Sequence, residues 1–387
     1  MKTYPRILQR FEENAFLFGP RGTGKSTWLK LTYPQAIYID LLDSETYRFY
    51  SSRPERVSDL PINHPKSNCF IIDEVQKIPE LLSNIHRLIE GNKTIQFILT
   101  GSSSRKLKKT GVDLLGGRAL KKHFHPLCAY EMGDDFKLIT ALTLGMVPLV
   151  ITSKSPVEVQ KSYIDLYINE EVKQEGLTRN IGGFNRFLEI ISLSQGSTLN
   201  LAEVSRDCEI KRNTVDSYIS ILEDLLIAIR IPIFQKRIKR ALVKNTKFYF
   251  FDCGVFQGIR PKGPLDDTSS IKGIALETLV MQHLRAWIDY SNKKVTLHYW
   301  RTRGGTEVDF ILYGEGVFYA IEVKSTLAPR SKDTRGLKEF KKDYPEVTPL
   351  LLYQGQESKI REGIHWVPIE NFLKGLHPQR PFVEHLL

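Results

Sequence analysis

The chain has 387 residues, 41% of them hydrophobic and 10% aromatic, and carries 55 Lys+Arg against 44 Asp+Glu for a formal charge of +11. This is too long for one ordinary domain and apolar enough for packed cores, while no apolar run has the length that spans a bilayer, so a disordered chain and a helical membrane protein are both excluded. The basic balance favours an anionic partner, nucleic acid above all, although a lysine-rich surface gives the same sum.

The first predicted elements form an anion site. Ala15-Phe16-Leu17-Phe18 reads as a buried strand and Trp28-Leu29-Lys30-Leu31 as a helix; between them Gly19-Pro20-Arg21-Gly22-Thr23-Gly24-Lys25-Ser26-Thr27 fits G-x-x-x-x-G-K-[ST]. Backbone N–H groups of such a loop and the helix N-terminus favour negative charge. Gly19, Gly22, Gly24 and Thr27 would cradle ATP, Lys25 would reach its β- and γ-phosphates, and Ser26 would hold Mg²⁺. A second apolar strand, Cys69-Phe70-Ile71-Ile72, ends in Asp73-Glu74: Asp73 would support the Mg²⁺ shell and Glu74 would polarise the attacking water. A third, Thr94–Leu99, ends in Thr100, read as a γ-phosphate sensor or, more plainly, a strand cap. Alternating strands and helices predict a parallel sheet with nucleotide at its carboxyl edge. Beyond Thr100 the chain turns basic through Arg105, Lys106, Lys108, Lys109, Arg118, Lys121 and Lys122; Arg118 reads equally as an arginine finger toward a neighbouring subunit and as a surface residue.

From Lys154 to Leu193 the pattern is helical, with Tyr163, Leu166, Tyr167, Ile168 and Val172 on apolar faces and a break at Gly182-Gly183. Thr198–Val204 and Lys211–Leu222 then read as two helices about a turn, the second with a basic start and the apolar residues Val215, Ile219 and Leu222. Between Asp224 and Asp252 there is no acid, while Arg230, Lys236, Arg237, Lys239, Arg240, Lys244 and Lys247 all fall there. A hairpin of 229–235 with 241–251 completes a winged helix-turn-helix whose cations would meet DNA phosphates, or else a spacer between proteins.

In the last part Thr306–Tyr313 and Val317–Lys324 are predicted strands joined by a tight turn. A turn centred on Glu315-Gly316 sets Asp309 opposite Glu322 and Glu307 opposite Lys324, all on one face. Crowded carboxylates call for a cation. Mg²⁺ or Mn²⁺ held by Asp309 and Glu322, with Lys324 orienting or activating a water, makes a phosphodiester-hydrolysing site. Glu277 joins as a third acid because it shares a helical stripe with Val280, Met281 and Leu284. The plainer alternative is a salt-bridge ladder of Glu307, Lys324, Asp309 and Arg301. Leu297–Arg301 reads as an edge strand, Gly336–Phe340 as a covering helix and Leu350–Tyr353 as a further strand. The four cysteines (Cys69, Cys128, Cys208, Cys253) are far apart, so neither disulfides nor zinc are expected, and the first residues run into charges rather than an apolar signal core; the expectation is a cytoplasmic protein.

These segments together resemble a family of bacterial and archaeal AAA+ ATPases whose C-terminal domain, long labelled as of unknown function, has a core similar to PD-(D/E)xK nucleases. The matching residues are the phosphate loop, Ile72–Gln76, Leu99–Ser103, Gly117-Arg118, Phe248–Asp252, Tyr299–Thr302, Glu307–Phe310 and Ile321–Ser325. The resemblance implies an α/β chain in four parts: an ATPase core (1–130), a helical lid or linker (131–193), a winged helix-turn-helix (194–252) and a nuclease-like domain (253–387). It implies a homo-oligomeric, structure-specific endonuclease acting on branched DNA such as Holliday junctions, in repair, recombination or defence. An ATP-switched module that grips DNA or a protein without cutting is the alternative. A chaperone-like ATPase with no nucleic-acid role is a third, distinguished by salt-independent DNA affinity. Gly145-Met146-Val147-Pro148 departs from the glycine-rich lid segment of relatives.

Overall fold

The computed structural model describes residues 2–102, 115–168, 181–235 and 245–382. They form two compact units: 8–126 with 224–226, and 1–7, 127–223 and 227–387. In the first, β1 (Ala15–Phe18), β2 (Ile37–Asp40), β3 (Cys69–Asp73), β4 (Gln96–Gly101) and β5 (Leu120–His123) make a parallel sheet in the order β2-β3-β4-β1-β5. β1, β3 and β4 are buried along nearly their whole length, as strands sandwiched between helices must be. Alternate residues Phe16, Phe18, Phe70, Ile72, Phe97 and Leu99 share one core with Leu81, Leu82, Ile85 and Ile89 of the helix Leu81–Gly91. Because β4 lies between β1 and β3, the carboxyl ends of all three open onto one edge. The predicted parallel sheet is thus present, and it fits a P-loop ATPase fold.

The second unit holds two sheets. A small antiparallel one has β6 (Ser197–Thr198), β8 (Lys247–Phe250) and β7 (Ala228–Ile231) in the order β6-β8-β7. A mixed one has β9 (Val295–Arg301), β10 (Glu307–Gly314), β11 (Val317–Lys324), β12 (Thr348–Tyr353), β13 (Lys359–Arg361) and β14 (Ile364–Pro368), ordered β13-β14-β12-β11-β10-β9. β9 is an edge strand, as expected. The helix Arg335–Asp343 covers this sheet through Leu337 and Phe340, which pack with Trp300, Val308, Ile311 and Leu351.

Two readings change. Gly182-Gly183, expected to break the helical pattern, are themselves helical at the start of the described helix Ile181–Ser192; buried Phe184, Phe187 and Ile191 override the low helix propensity of glycine. The two helices about a turn are present as Leu201–Asp207 and Arg212–Asp224, with Val215, Ile219 and Leu222 buried. The hairpin that follows is shorter than expected, pairing only 228–231 with 247–250. Pro232 cannot donate to a ladder, and the chain leaves the hairpin there: Tyr299 N donates to Pro232 O (3.1 Å) and Phe234 N to Tyr299 O (2.7 Å), so 232–234 straps the open edge of β9. The expected wing-tip cations Lys236, Arg237, Lys239, Arg240 and Lys244 lie outside the described residues, as do Arg105, Lys106, Lys108, Lys109 and Val172.

The helix Thr268–Tyr290 forms the spine of this unit. Its His283 is buried, bonds Leu279 O through Nδ1 (2.8 Å) and accepts from Ala129 N at Nε2 (2.8 Å). Those partners require the neutral ring, and burial holds its pKa down at about 4, against 6.5 for a free imidazole. Between these values the unfolded chain binds a proton that the folded one does not, so stability contributed here is whole above pH 6.5 and lost as pH falls toward 4. Urea unfolding from pH 8 to 4.5 should show this loss in the wild type and a flatter profile in His283→Gln; parallel profiles would refute it. No helix among the described residues is long and apolar enough to cross a membrane.

Candidate functional sites

At the carboxyl edge of the parallel sheet the phosphate loop closes on itself. Gly22 and Gly24 have φ of 76° and 91°, a conformation that side chains resist. Gly24 precedes the helix Lys25–Thr32, on whose exposed face Thr27 lies. Lys25 is 5% exposed, and its ammonium donates to Gly19 O (2.6 Å) and Pro20 O (3.1 Å). Thr23 Oγ1 ties the loop to Pro20 O at 2.7 Å.

Asp73, at the end of β3, gathers the neighbouring groups. Its Oδ2 accepts from Ser26 Oγ (2.6 Å) and from the Tyr38 hydroxyl, and its Oδ1 accepts from Thr100 Oγ1. Burial, and then the nearby Asp73 carboxylate, hold the Tyr38 hydroxyl well above its ordinary pKa, so it stays a donor. Glu74 follows with φ 61°, rare for a residue with a side chain. Three contacts hold that turn: Glu74 N donates to Thr100 Oγ1 (3.1 Å), and the carboxylate accepts from Gln76 Nε2 and, at 3.5 Å, from Ser102 Oγ. Ser26, Asp73, Glu74 and Thr100 therefore meet as the sequence predicts. Tyr38 and Gln76 were not foreseen; the second could have been, since a glutamine two residues beyond a catalytic-type carboxylate is within its reach. These oxygens and the loop fit a nucleotide with Mg²⁺, which would take Ser26 and Asp73 as its protein partners. Arg118 follows three residues of positive φ (Leu115 54°, Gly116 54°, Gly117 78°) and pairs with Glu90 at 2.6 Å, both half exposed.

The second cluster lies in the larger unit. The β10–β11 ladder runs from Gly314–Val317 to Phe310–Ile321, the predicted register, and goes no further. A bulge falls between Val308 and Ile311 in the pairing with β9, which is why those two residues share one core although three apart. It turns Asp309 aside: the carboxylate accepts from Val323 N at 2.9 Å. Glu307 pairs in the ladder with Arg301, whose guanidinium is 3.3 Å from its carboxylate. The predicted oppositions of Asp309 to Glu322 and of Glu307 to Lys324 across a regular ladder are therefore not formed. Lys324 instead donates to its own-strand neighbour Glu322 at 2.5 Å.

The unexpected member is Lys247 on β8. It was read as a wing cation facing DNA, yet its side chain is 1% exposed. Its ammonium lies 3.1 Å from Glu277 Oε1 and 3.6 Å from Asp309 Oδ1, and it contacts Glu307. Tyr249, two residues along the same strand, donates its hydroxyl to Glu277. Arg230, also counted among the wing cations, pairs with Glu223 (2.6 Å) and Asp216 (3.4 Å). Burial raises the Glu277 pKa to about 7, and burial next to Asp309 raises that of Glu322. Glu277, Asp309, Glu322 and Lys324 thus stand in one electrostatic cluster, but they do not form a ready metal centre. Among the described residues no three His, Cys, Asp or Glu side chains are placed to hold a metal ion. Within this cluster the buried Glu322 Oε2 has no hydrogen-bond partner among the described residues.

Residues 12–133 match the family model of an AAA domain, so the unit around the phosphate loop is an ATP-binding domain of AAA type. Residues 135–264 match a domain of unknown function (DUF8612) and residues 272–372 another (DUF4143). No curated protein matches. Solved structures include a replication initiator DnaA bound to AMPPCP and single-stranded DNA, 14% identical over 56% of this chain and 83% of that one, TM-score 0.27. Another is AMPPCP-bound DnaA from Aquifex aeolicus, 14% identical over 55% and 82%, TM-score 0.25. A third is protein VC1899 from Vibrio cholerae, 13% identical over 88% and 96%, TM-score 0.21. Overlaps this slight support no statement about the present chain.

Proposed function

We propose that the chain is an ATP-hydrolysing enzyme that acts on DNA, with the AAA-type unit gating a larger unit whose acid–lysine cluster is of nuclease kind. The convergence of Ser26, Asp73, Thr100 and Glu74 at one sheet edge carries the ATPase reading. The loop amides and Lys25 would hold the phosphates, Ser26 and Asp73 would hold Mg²⁺, Glu74 would take the proton of the attacking water and Thr100 would sense the γ-phosphate. A magnesium ion held there would supply charge neutralisation at the phosphates.

DNA as the partner is supported by the net charge of +11 and by Lys211 and Arg212, exposed at the start of the helix Arg212–Asp224 within what we read as a winged helix. Cleavage of branched DNA is the finer proposal, supported by the gathering of Glu277, Asp309, Glu322 and Lys324; a homo-oligomer in the cytoplasm completes it. The residues present do not fit a preassembled divalent-metal site among the described residues. That same observation favours a second reading, an ATP-switched module that grips DNA without cutting.

The test combines ATP binding with a panel of fork, junction and linear DNA. Lys25→Ala should weaken ATP binding about 10–100-fold, the value of one charge-assisted contact. Metal-dependent cutting that is lost in Asp309→Ala would support the nuclease; DNA binding that weakens with salt, without any product, would support the module.

A further inference from the structure

We propose that Lys247 is the resident cation of the acid cluster: its ammonium takes the place among Glu277, Glu307 and Asp309 that a divalent ion would need, and so keeps such ions out. The inference rests on the nuclease-like reading of the cluster only for its location. It gives Lys247, unassigned by any comparison, the role of setting which cation the site accepts.

Three observations carry it. First, Lys247 is not a surface lysine whose ammonium happens to reach an acid. Its side chain is 1% exposed, it lies over the Tyr299 ring at 5.7 Å, and its contacts are to carboxylates from two separate elements, the helix Thr268–Tyr290 and β10. A buried ammonium is retained only where paired charges surround it, and breaking that pairing is costly. Second, the acids are already spoken for. Glu277 accepts from Lys247 and the Tyr249 hydroxyl, Glu307 is shared by Lys247 and Arg301, and Asp309 accepts from Val323 N while facing Lys247. With Lys324 on Glu322, three cations face four carboxylates without any metal. Third, a divalent ion joining Glu277 to Asp309 would stand within a few ångströms of the ammonium, where like charges repel strongly in a poorly screened interior.

Lys247 sits on β8, in the small sheet, whereas the acids belong to the long helix and the large sheet. The cation is therefore supplied from outside the segment that carries the acids. Anything that draws β8 away removes the charge without altering a single carboxylate.

The experiment is a Mn²⁺ titration of the full nucleotide-free chain, followed by water proton relaxation or calorimetry, with Asp309→Asn in each background to separate this cluster from the Ser26–Asp73 site. The wild type should show no binding that depends on Asp309. Lys247→Met should gain it, with affinity at least about 100-fold tighter than any wild-type value, and Lys247→Arg should not. Should Lys247→Met fail to fold, Lys247→Met/Glu307→Gln restores the charge balance and carries the same expectation. Asp309-dependent Mn²⁺ binding of equal strength in wild type and Lys247→Met would overturn the proposal, as would a folded methionine variant that gains none. DNA cutting is scored separately. A wild type that binds Mn²⁺ as well as Lys247→Met and cuts DNA keeps the nuclease reading and sinks this one. A methionine variant that gains the ion but cuts nothing sinks the nuclease reading and keeps this one.

Discussion

Gly145→Ala is expected to destabilise the larger unit by at least about 3 kcal/mol, lowering its melting temperature by roughly 10 °C. Gly145 has φ 76°, and a Cβ there would stand 1.9 Å from Asp252 Oδ1. Two costs add, the left-handed backbone and the overlap, and the neighbour cannot step aside. The Asp252 carboxylate is fully buried and accepts from Met146 N (2.7 Å), Gly254 N (2.8 Å) and Val255 N (3.1 Å), which caps the helix Cys253–Ile259 and pins the segment 145–148 at once. On the far side, a Cβ at Gly254 would meet Leu144 O at 2.2 Å, so the two chains approach as closely as glycine allows. Scanning calorimetry checks this, and unchanged stability in Gly145→Ala would refute it. The segment 145–148 is thus bound to Asp252 within its own unit.

Glu74→Gln is expected to lower the ATP turnover number by about 10²–10⁴-fold while leaving ATP affinity within a few-fold of wild type. The amide keeps the shape of the carboxylate and the acceptor that Gln76 and Ser102 use, so the left-handed turn should survive. What it loses is the capacity to take a proton from water. Single-turnover hydrolysis alongside equilibrium nucleotide binding separates the two effects. Turnover near the wild-type value would show that Glu74 is not the base. A parallel loss of affinity would mean that the substitution had disturbed Asp73 through their shared partner Thr100.

The candidate nucleotide site is legible because its information is local. The phosphate loop is one contiguous stretch, and Asp73 and Thr100 are polar residues ending apolar strands, so their position at the sheet edge follows from the strands being buried and parallel. The β10–β11 register was legible for the same reason, since a tight turn fixes it. What escaped came from elsewhere in the chain. The bulge that turns Asp309 is imposed by pairing with β9, not by a glycine in β10. Gly182-Gly183 read as a break because propensity is local, whereas Phe184, Phe187 and Ile191 hold the helix through distant partners. Lys247 was misread most fully: in a run without acids, surrounded by other lysines, it looks like a phosphate contact. The available signal was its place in Lys247-Phe248-Tyr249-Phe250-Phe251, a strand otherwise without charge, where a lysine must either reach solvent or find buried acids.

The reach of Lys247 from β8 into the acid cluster bears on how separable this protein's parts are. The match to a domain of unknown function at 272–372 contains Glu277, Glu307, Asp309 and Glu322 but neither Lys247 nor Tyr249. A fragment begun at 253, or that segment grafted onto an unrelated carrier, would inherit four closely set carboxylates and leave behind the ammonium that neutralises them. It would also leave the edge of β9 without its 232–234 cover. Such a piece must find a new counterion, recruit a metal or take up protons to fold. The cluster therefore keeps its own charge balance on transfer only together with the strand before it.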